Sequence, residues 1–132
     1  MRTIMNPRRS LLMIIFLALA GCGQKLAYET TVQLADGEVQ ALAVDAPKRE
    51  QKVSVSVVSS GSPVDVYVVL DKDKETGKQA LLDRKKPAES LAGKTKSQDT
   101  TLEATIPANT GFAVLLGNAS KPSQVKVKVT GR

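Results

Sequence analysis

The feature that most constrains the fold is an alternation of apolar and polar residues, which recurs in short segments along the chain. Residues 52–59 read KVSVSVVS and residues 124–130 read QVKVKVT, with valine at every second position. The same alternation is found at 64–70, 101–106 and 112–116. Successive side chains of a strand point to opposite faces of a sheet, so each segment is predicted to be a strand with one buried face.

Two weaker strands are predicted before these, near 28–34 and 38–45. Asp36-Gly37 lies between them and suits a tight hairpin turn. Several short strands separated by turn residues are typical of an all-β domain. We therefore expect an antiparallel β-sandwich, jelly-roll-like, with about seven or eight strands.

One segment, residues 72–97, breaks this pattern because it is charged, rich in lysine and does not alternate at its start. Within it, residues 75–82 could form one or two helical turns and residues 89–95 could form an edge strand. We expect a long, solvated excursion between the two halves of the sandwich.

The amino-terminal part of the chain has a different character. Ten apolar residues, 11–20, follow Arg2, Arg8 and Arg9 with no acidic residue among them. As a helix they would rise only about 15 Å, against roughly 30 Å of bilayer hydrocarbon. A basic segment, a short apolar run and small residues are typical of a secretory signal, although a buried core helix is the alternative.

The apolar run ends in Leu19-Ala20-Gly21-Cys22, which contains the only cysteine of the chain. This ending resembles the lipobox of bacterial lipoproteins at all four positions. The resemblance implies cleavage between Gly21 and Cys22, diacylglycerol on the Cys22 sulfur and a further acyl chain, such as palmitate, on the new amino terminus. The alternative is an ordinary signal peptide with a chance cysteine.

These interpretations divide the chain into three parts. Residues 1–21 are the signal peptide, residues 22–27 are the lipidated cysteine and a short tether, and residues 28–132 are the sandwich domain. The anchor would place the domain outside the cytoplasm, in the envelope or periplasm, on the cell membrane or the outer membrane. Gly23 favours the outer membrane under the enteric sorting rule, and Arg8-Arg9 leaves a twin-arginine export route open.

Composition excludes several functions. Removal of the signal takes three of the 19 basic residues and none of the 13 acidic ones, which leaves a net charge of +3 and no nucleic-acid footprint. The chain has no histidine and no second cysteine, which excludes Ser-His-Asp and Cys-His nucleophiles, Cys/His zinc sites and a disulfide within the domain. Neither a cofactor nor an enzymatic activity is expected, although Ser/Lys chemistry stays formally open.

The sandwich segment resembles the pre-peptidase C-terminal and GOLD-type jelly rolls over roughly residues 50–131. The resemblance rests on residues 53–70, the segment LEATIPANTGFAV at 102–114, Asn118 and the closing VKVKVTG. It implies a non-catalytic binding, secretion-linked or scaffold module and specifies no ligand.

Four local features are candidates for a site. Asp71, Asp73 and Glu75 place oxygens at alternate positions, as calcium loops do, but glycine at the sixth position and glutamate at the twelfth are missing. Arg84-Lys85-Lys86 could contact phosphate or anionic lipid, or simply be solvated. Asp65 is interpreted as an outward or turn-capping carboxylate, and Tyr67 is the one aromatic side chain that could face outward.

The sequence thus predicts a lipid-anchored envelope protein whose non-catalytic sandwich holds an envelope protein or the cell wall near a membrane. A small-ligand or calcium-dependent binding domain is the alternative, which an exposed pocket around Tyr67 or oxygens converging on Asp71 and Asp73 would favour.

Overall fold

The computed structural model describes residues 26–131. Gly21, Cys22 and the predicted signal peptide lie outside these residues, as does most of the predicted tether. No helix among residues 26–131 is long and apolar enough to cross a membrane.

Residues 26–131 contain eight strands, one 3₁₀ turn, Asp71–Asp73, and one helix, α1, at Lys74–Leu82. The strands are β1 Ala27–Leu34, β2 Val39–Val44, β3 Gln51–Ser59, β4 Val64–Leu70, β5 Ala92–Ser97, β6 Asp99–Ile106, β7 Phe112–Gly117 and β8 Ser123–Gly131. They form two four-stranded sheets, ordered β1-β8-β3-β6 and β2-β7-β4-β5.

The pairing of the strands is nested. β1 pairs with β8, β2 with β7, β3 with β6 and β4 with β5, and every pair is antiparallel. This is the arrangement of a long hairpin rolled into two sheets, which is a jelly roll. The predicted antiparallel, jelly-roll-like sandwich is therefore confirmed.

The predicted hairpin at Asp36-Gly37 is wrong. The chain does turn there, with Gly37 at a φ of +75°, but β1 and β2 lie in different sheets. The Gly37 N–H donates to the carbonyl of Ala119, at 3.1 Å, in the loop between β7 and β8. The residues Asp36-Gly37 correctly indicated that the chain turns here. They did not indicate the pairing partner of β1, which is the valine-rich β8 over all eight positions of β1.

The main core lies between the two sheets and is built by the alternation seen in the sequence. On β3, at most 1% of the surface of Val53, Val55 and Val57 is exposed, while the residues between them face outward. Phe112 is fully buried on β7 against this core. Burial of each such side chain contributes about 1.5–3 kcal/mol, so the valine-rich strands supply much of the driving force for folding.

A second, smaller core covers the outer face of the β2-β7-β4-β5 sheet. Helix α1 places Leu81 against Val69, Ala113 and Leu115 there. The helix approaches closely at Gly77, where a Cβ atom would come within 2.6 Å of Leu115 Cδ1. Residues 72–97 thus contain the predicted helix and edge strand, at Lys74–Leu82 and Ala92–Ser97, and the predicted solvated excursion is wrong only for the helix, which packs on the sheet.

Different loops and turns lie at the two ends of the sandwich. The tether end holds the start of β1, the loops 45–50 and 107–111, and the 3₁₀ turn, joined by the hydrogen bond from Asp71 N–H to Gly111 O at 2.9 Å. The far end holds the turns 35–38 and 60–63 and the loop 118–122.

Candidate functional site

A pocket of about 370 Å³ lies on the β2-β7-β4-β5 sheet, where β4 and β5 meet the loop that follows α1. We call it the Tyr67 pocket. Its lining residues are Tyr67, Lys86, Ser90, Gly93, Lys94 and Thr95.

Tyr67 lies on the outer face of β4, as its alternation with Val66 and Val68 predicts, but it is only 4% exposed. It pairs with Gly93 on β5, and a Cβ atom at Gly93 would overlap with the Tyr67 ring. The missing side chain of Gly93 therefore leaves the space that the ring occupies. Glycine opposite an aromatic residue is a recurrent arrangement at sheet edges.

Lys86 reaches the pocket because of the way α1 ends. Arg84 N–H donates to Leu81 O at 3.0 Å and Lys85 N–H donates to Ala80 O at 2.8 Å, with Arg84 at a φ of 59°. This is a Schellman motif, in which arginine takes the left-handed position that glycine usually occupies. Of the predicted basic run 84–86, only Lys86 lines the pocket.

Lys94 and Thr95 are positioned by an irregularity in β5. The pairing of β4 with β5 shifts register between Val64 and Val66, which is typical of a β-bulge. Lys96 takes a φ of 49°, and its backbone N–H donates to Asp65 Oδ1 at 2.9 Å. Asp65 is thus a capping carboxylate that fixes the bulge, in agreement with its sequence interpretation.

The electrostatics of the pocket are positive. Lys86 and Lys94 carry its formal charges, and no carboxylate lines it. Burial raises the pKa of Tyr67, and the negative charge of Asp65 raises it further. The Tyr67 hydroxyl therefore stays protonated at neutral pH.

The predicted calcium oxygens lie elsewhere, at the tether end. Asp71 Oδ1 is 3.6 Å from Lys74 Nζ, and Glu75 Oε1 is 3.9 Å from Lys78 Nζ, while Asp73 is half-buried in the 3₁₀ turn. Among residues 26–131, no group of three or more His, Cys, Asp or Glu side chains is placed to hold a metal ion.

Sequence reasoning missed a buried serine cluster at the far end, formed by Ser59, Ser62 and Ser123. Ser62 N–H donates to Ser123 Oγ at 2.8 Å, and Ser59 Oγ donates to Ser62 O at 2.6 Å. Ser62 Oγ also accepts from Ser120 N–H at 3.0 Å. The cluster fixes turn 60–63 to loop 118–122, and isolated serines near turns gave no signal for it.

Comparisons with known proteins support the fold alone. No protein-family model matches the chain, and no curated protein matches it in sequence. Among solved structures, the chain is similar to the crystal structure of Aeromonas hydrophila PliG, a periplasmic lysozyme inhibitor of g-type lysozyme. The TM-score is 0.53 and the identity 12%, over 88% of this chain and 93% of that one.

Proposed function

We propose that the protein is a lipid-anchored envelope lipoprotein whose jelly-roll domain binds a protein partner near the membrane and has no catalytic activity. The observation that carries the proposal is the short distance between the predicted lipidation site and the fold. β1 begins at Ala27, five residues after Cys22. Five extended residues span at most about 18 Å, so a lipid on Cys22 would hold the tether end against the bilayer.

Two acyl chains or more are needed for stable anchoring, because each buried CH₂ contributes about 0.8 kcal/mol and one chain is marginal. The lipobox resemblance implies that number. The far end would then point away from the membrane, with its turns fixed by the buried serine cluster. A fixed surface loses little conformational entropy on binding, which favours association with a protein.

The structural likeness supports a protein partner of a particular kind. PliG is described as a periplasmic lysozyme inhibitor of g-type lysozyme, so one protein of similar fold acts on another protein. We propose an envelope protein of that class as the first partner to test. A small-ligand domain is the second candidate function, because the Tyr67 pocket is present.

The anchor is tested by metabolic labelling with palmitate. We expect the natural chain to take up label and Cys22→Ala to take up none. An unlabelled natural chain would remove the anchor from the proposal.

The partner is tested by cross-linking in cells from two positions, one at each end of the domain. A photoreactive residue is placed at Lys121 of the far end or at Lys48 of the tether end, both exposed. We expect one defined envelope protein to be captured from position 121, and not from position 48, and to be lost with Cys22→Ala. Capture of abundant neighbours alone, equally from both positions, would contradict a partner-binding module.

Purified g-type lysozyme provides a direct activity assay for the partner class. Inhibition by the chain would assign it to that class, and absence of inhibition would direct attention to the protein captured in cells.

A further inference from the structure

We propose that the Tyr67 pocket binds a small organic anion, with a phosphate or carboxylate group held between Lys86 and Lys94. The lining residues of the pocket belong to β4, β5 and the loop after α1, and none of them is part of the predicted anchor or of the far-end turns. The inference therefore does not depend on the anchor or on the protein partner.

The size of the pocket fits a ligand larger than a bare ion. Its volume of about 370 Å³ lies in the range of roughly 300–1,000 Å³ that small-molecule sites occupy. A single phosphate or carboxylate would leave most of that space to water. The ligand therefore carries a body, such as a sugar ring or a short chain, beside its charged group.

The positive charges of the lining residues favour a negatively charged ligand. Lys86 comes from the loop after α1 and Lys94 comes from β5, so two exposed lysine residues from separate segments line one pocket. Like charges at one site repel each other, and an anion between them relieves that repulsion while it gains charge-assisted hydrogen bonds. The nearby Asp65 carboxylate is already bonded to Lys96 N–H and Asn118 Nδ2.

The remaining lining residues include two hydroxyl groups that add to the polar surface of the pocket. The hydroxyls of Ser90 and Thr95 can each donate one hydrogen bond to an anion. Tyr67 adds little surface for a ligand to contact, because only 4% of it is exposed. The polar groups of the lining would therefore make most of the contacts with a ligand.

The backbone that carries the two lysines is fixed before any ligand arrives. Lys86 lies between the Schellman turn and Pro87, which is buried. Lys94 is paired with Val66 of β4, next to the bulge that Asp65 holds. The backbone of the site is therefore ordered, and the entropy lost on binding is mainly that of the two exposed lysine side chains.

The test uses the full lipidated chain in neutral detergent and measures binding by titration calorimetry. The probes are glucose 6-phosphate and glucuronate, with glucose as the uncharged control. The pocket variant is Lys86→Gln/Lys94→Gln. Its matched control is Lys126→Gln/Lys128→Gln, which removes the same charge from exposed positions on the outer face of the other sheet.

We expect at least one charged probe to bind, glucose not to bind, and the pocket variant to weaken binding by about tenfold or more. The control variant keeps the affinity of the natural chain. Equal weakening in both variants would overturn the proposal, because it would reduce the effect to general positive charge. Absence of binding by both charged probes and by the vesicles below would overturn it as well.

A second arm separates a free anion from a lipid headgroup. Vesicles of phosphatidylglycerol and of phosphatidylcholine are compared for binding of the Cys22→Ala chain and of the same chain with the pocket substitutions. Binding to phosphatidylglycerol alone that requires Lys86 and Lys94 assigns the anion to a headgroup. Probe binding without such vesicle binding assigns it to a free solute.

Discussion

The side-chain amide of Asn118 donates a hydrogen bond to the carboxylate of Asp65, at 2.7 Å, and so joins the end of β7 to β4. The other oxygen of Asp65 accepts from the backbone of Lys96. Both partners hold left-handed backbone conformations, with φ of 61° and 49°. One carboxylate thus stabilises two strained positions, and it does so beside the Tyr67 pocket.

Asp65→Ala should lower the free energy of unfolding by about 2–3 kcal/mol, since it removes two hydrogen bonds to a charged acceptor. Chemical denaturation measures the change. Asp45→Ala, an exposed aspartate in loop 45–50, is the control and should stay within about 0.5 kcal/mol of the natural chain. Equal effects of the two substitutions would mean that Asp65 does not fix the bulge.

Gly93→Ala should destabilise the domain by about 1–3 kcal/mol, because its Cβ would overlap with the ring of Tyr67. The cost should nearly vanish in a Tyr67→Ala background, where the ring is gone. A double-mutant cycle by denaturation measures this coupling. Additive effects of the two substitutions would place the strain at Gly93 in the backbone instead of in the ring contact.

Arg84→Gly should stabilise the domain by about 1 kcal/mol, because glycine adopts the left-handed conformation at φ 59° without the steric cost that arginine carries. Arg84→Ala removes the same charge but keeps the Cβ atom, and should give no such gain. A comparison of the two thermal midpoints tests this. A similar gain from both would assign the effect to charge.

Alkaline pH should destabilise the domain through its two tyrosines. Burial raises the pKa of Tyr28 and Tyr67 in the folded chain above the ordinary value of 10.0, whereas the unfolded chain keeps that value. Stability from this source is therefore complete below about pH 10 and is lost as the pH rises further.

Tyr67→Phe should reduce the loss of stability between neutral pH and pH values above 10. In Tyr67→Phe, tyrosinate absorbance measures the titration of Tyr28 alone, because Tyr28 is then the only tyrosine left. An unchanged alkaline loss in Tyr67→Phe would show that Tyr67 titrates normally in the folded state.

The sequence predicted the strands best where one face is buried and the other is solvated. β3 and β8 lie within one residue of their predicted bounds, because valine alternates with polar residues where one face of a strand is buried. β7 was predicted at 112–116 and lies at Phe112–Gly117, but the prediction of a single buried face is wrong for it, since all six of its residues are buried. Its continuous apolar run indicates a strand covered on both faces, and that was the available signal for the packing of α1.

The candidate site was only partly predictable, for physical reasons. Tyr67 and Lys86 stood out by their chemistry, whereas Lys94 depends on a bulge whose register is set by Asp65, 29 residues earlier in the chain. The predicted hairpin of β1 with β2 does not form, because β1 pairs with the distant β8 and β2 with the distant β7. Cys22 and its lipid stay a prediction.

The position of β8 has a consequence for how the protein is made. β8 lies inside its sheet, between β1 and β3, although it is the last strand in the described chain. Until it emerges, β1 has no neighbour in that sheet and β3 lacks one of its two. The sheet β1-β8-β3-β6 therefore cannot be completed before β8 is available, whereas the sheet β2-β7-β4-β5 does not contain it. Since the paired residues of β1 and β8 lie between 89 and 103 positions apart in the chain, closing this pair costs conformational entropy, and we expect this sheet to form late in folding.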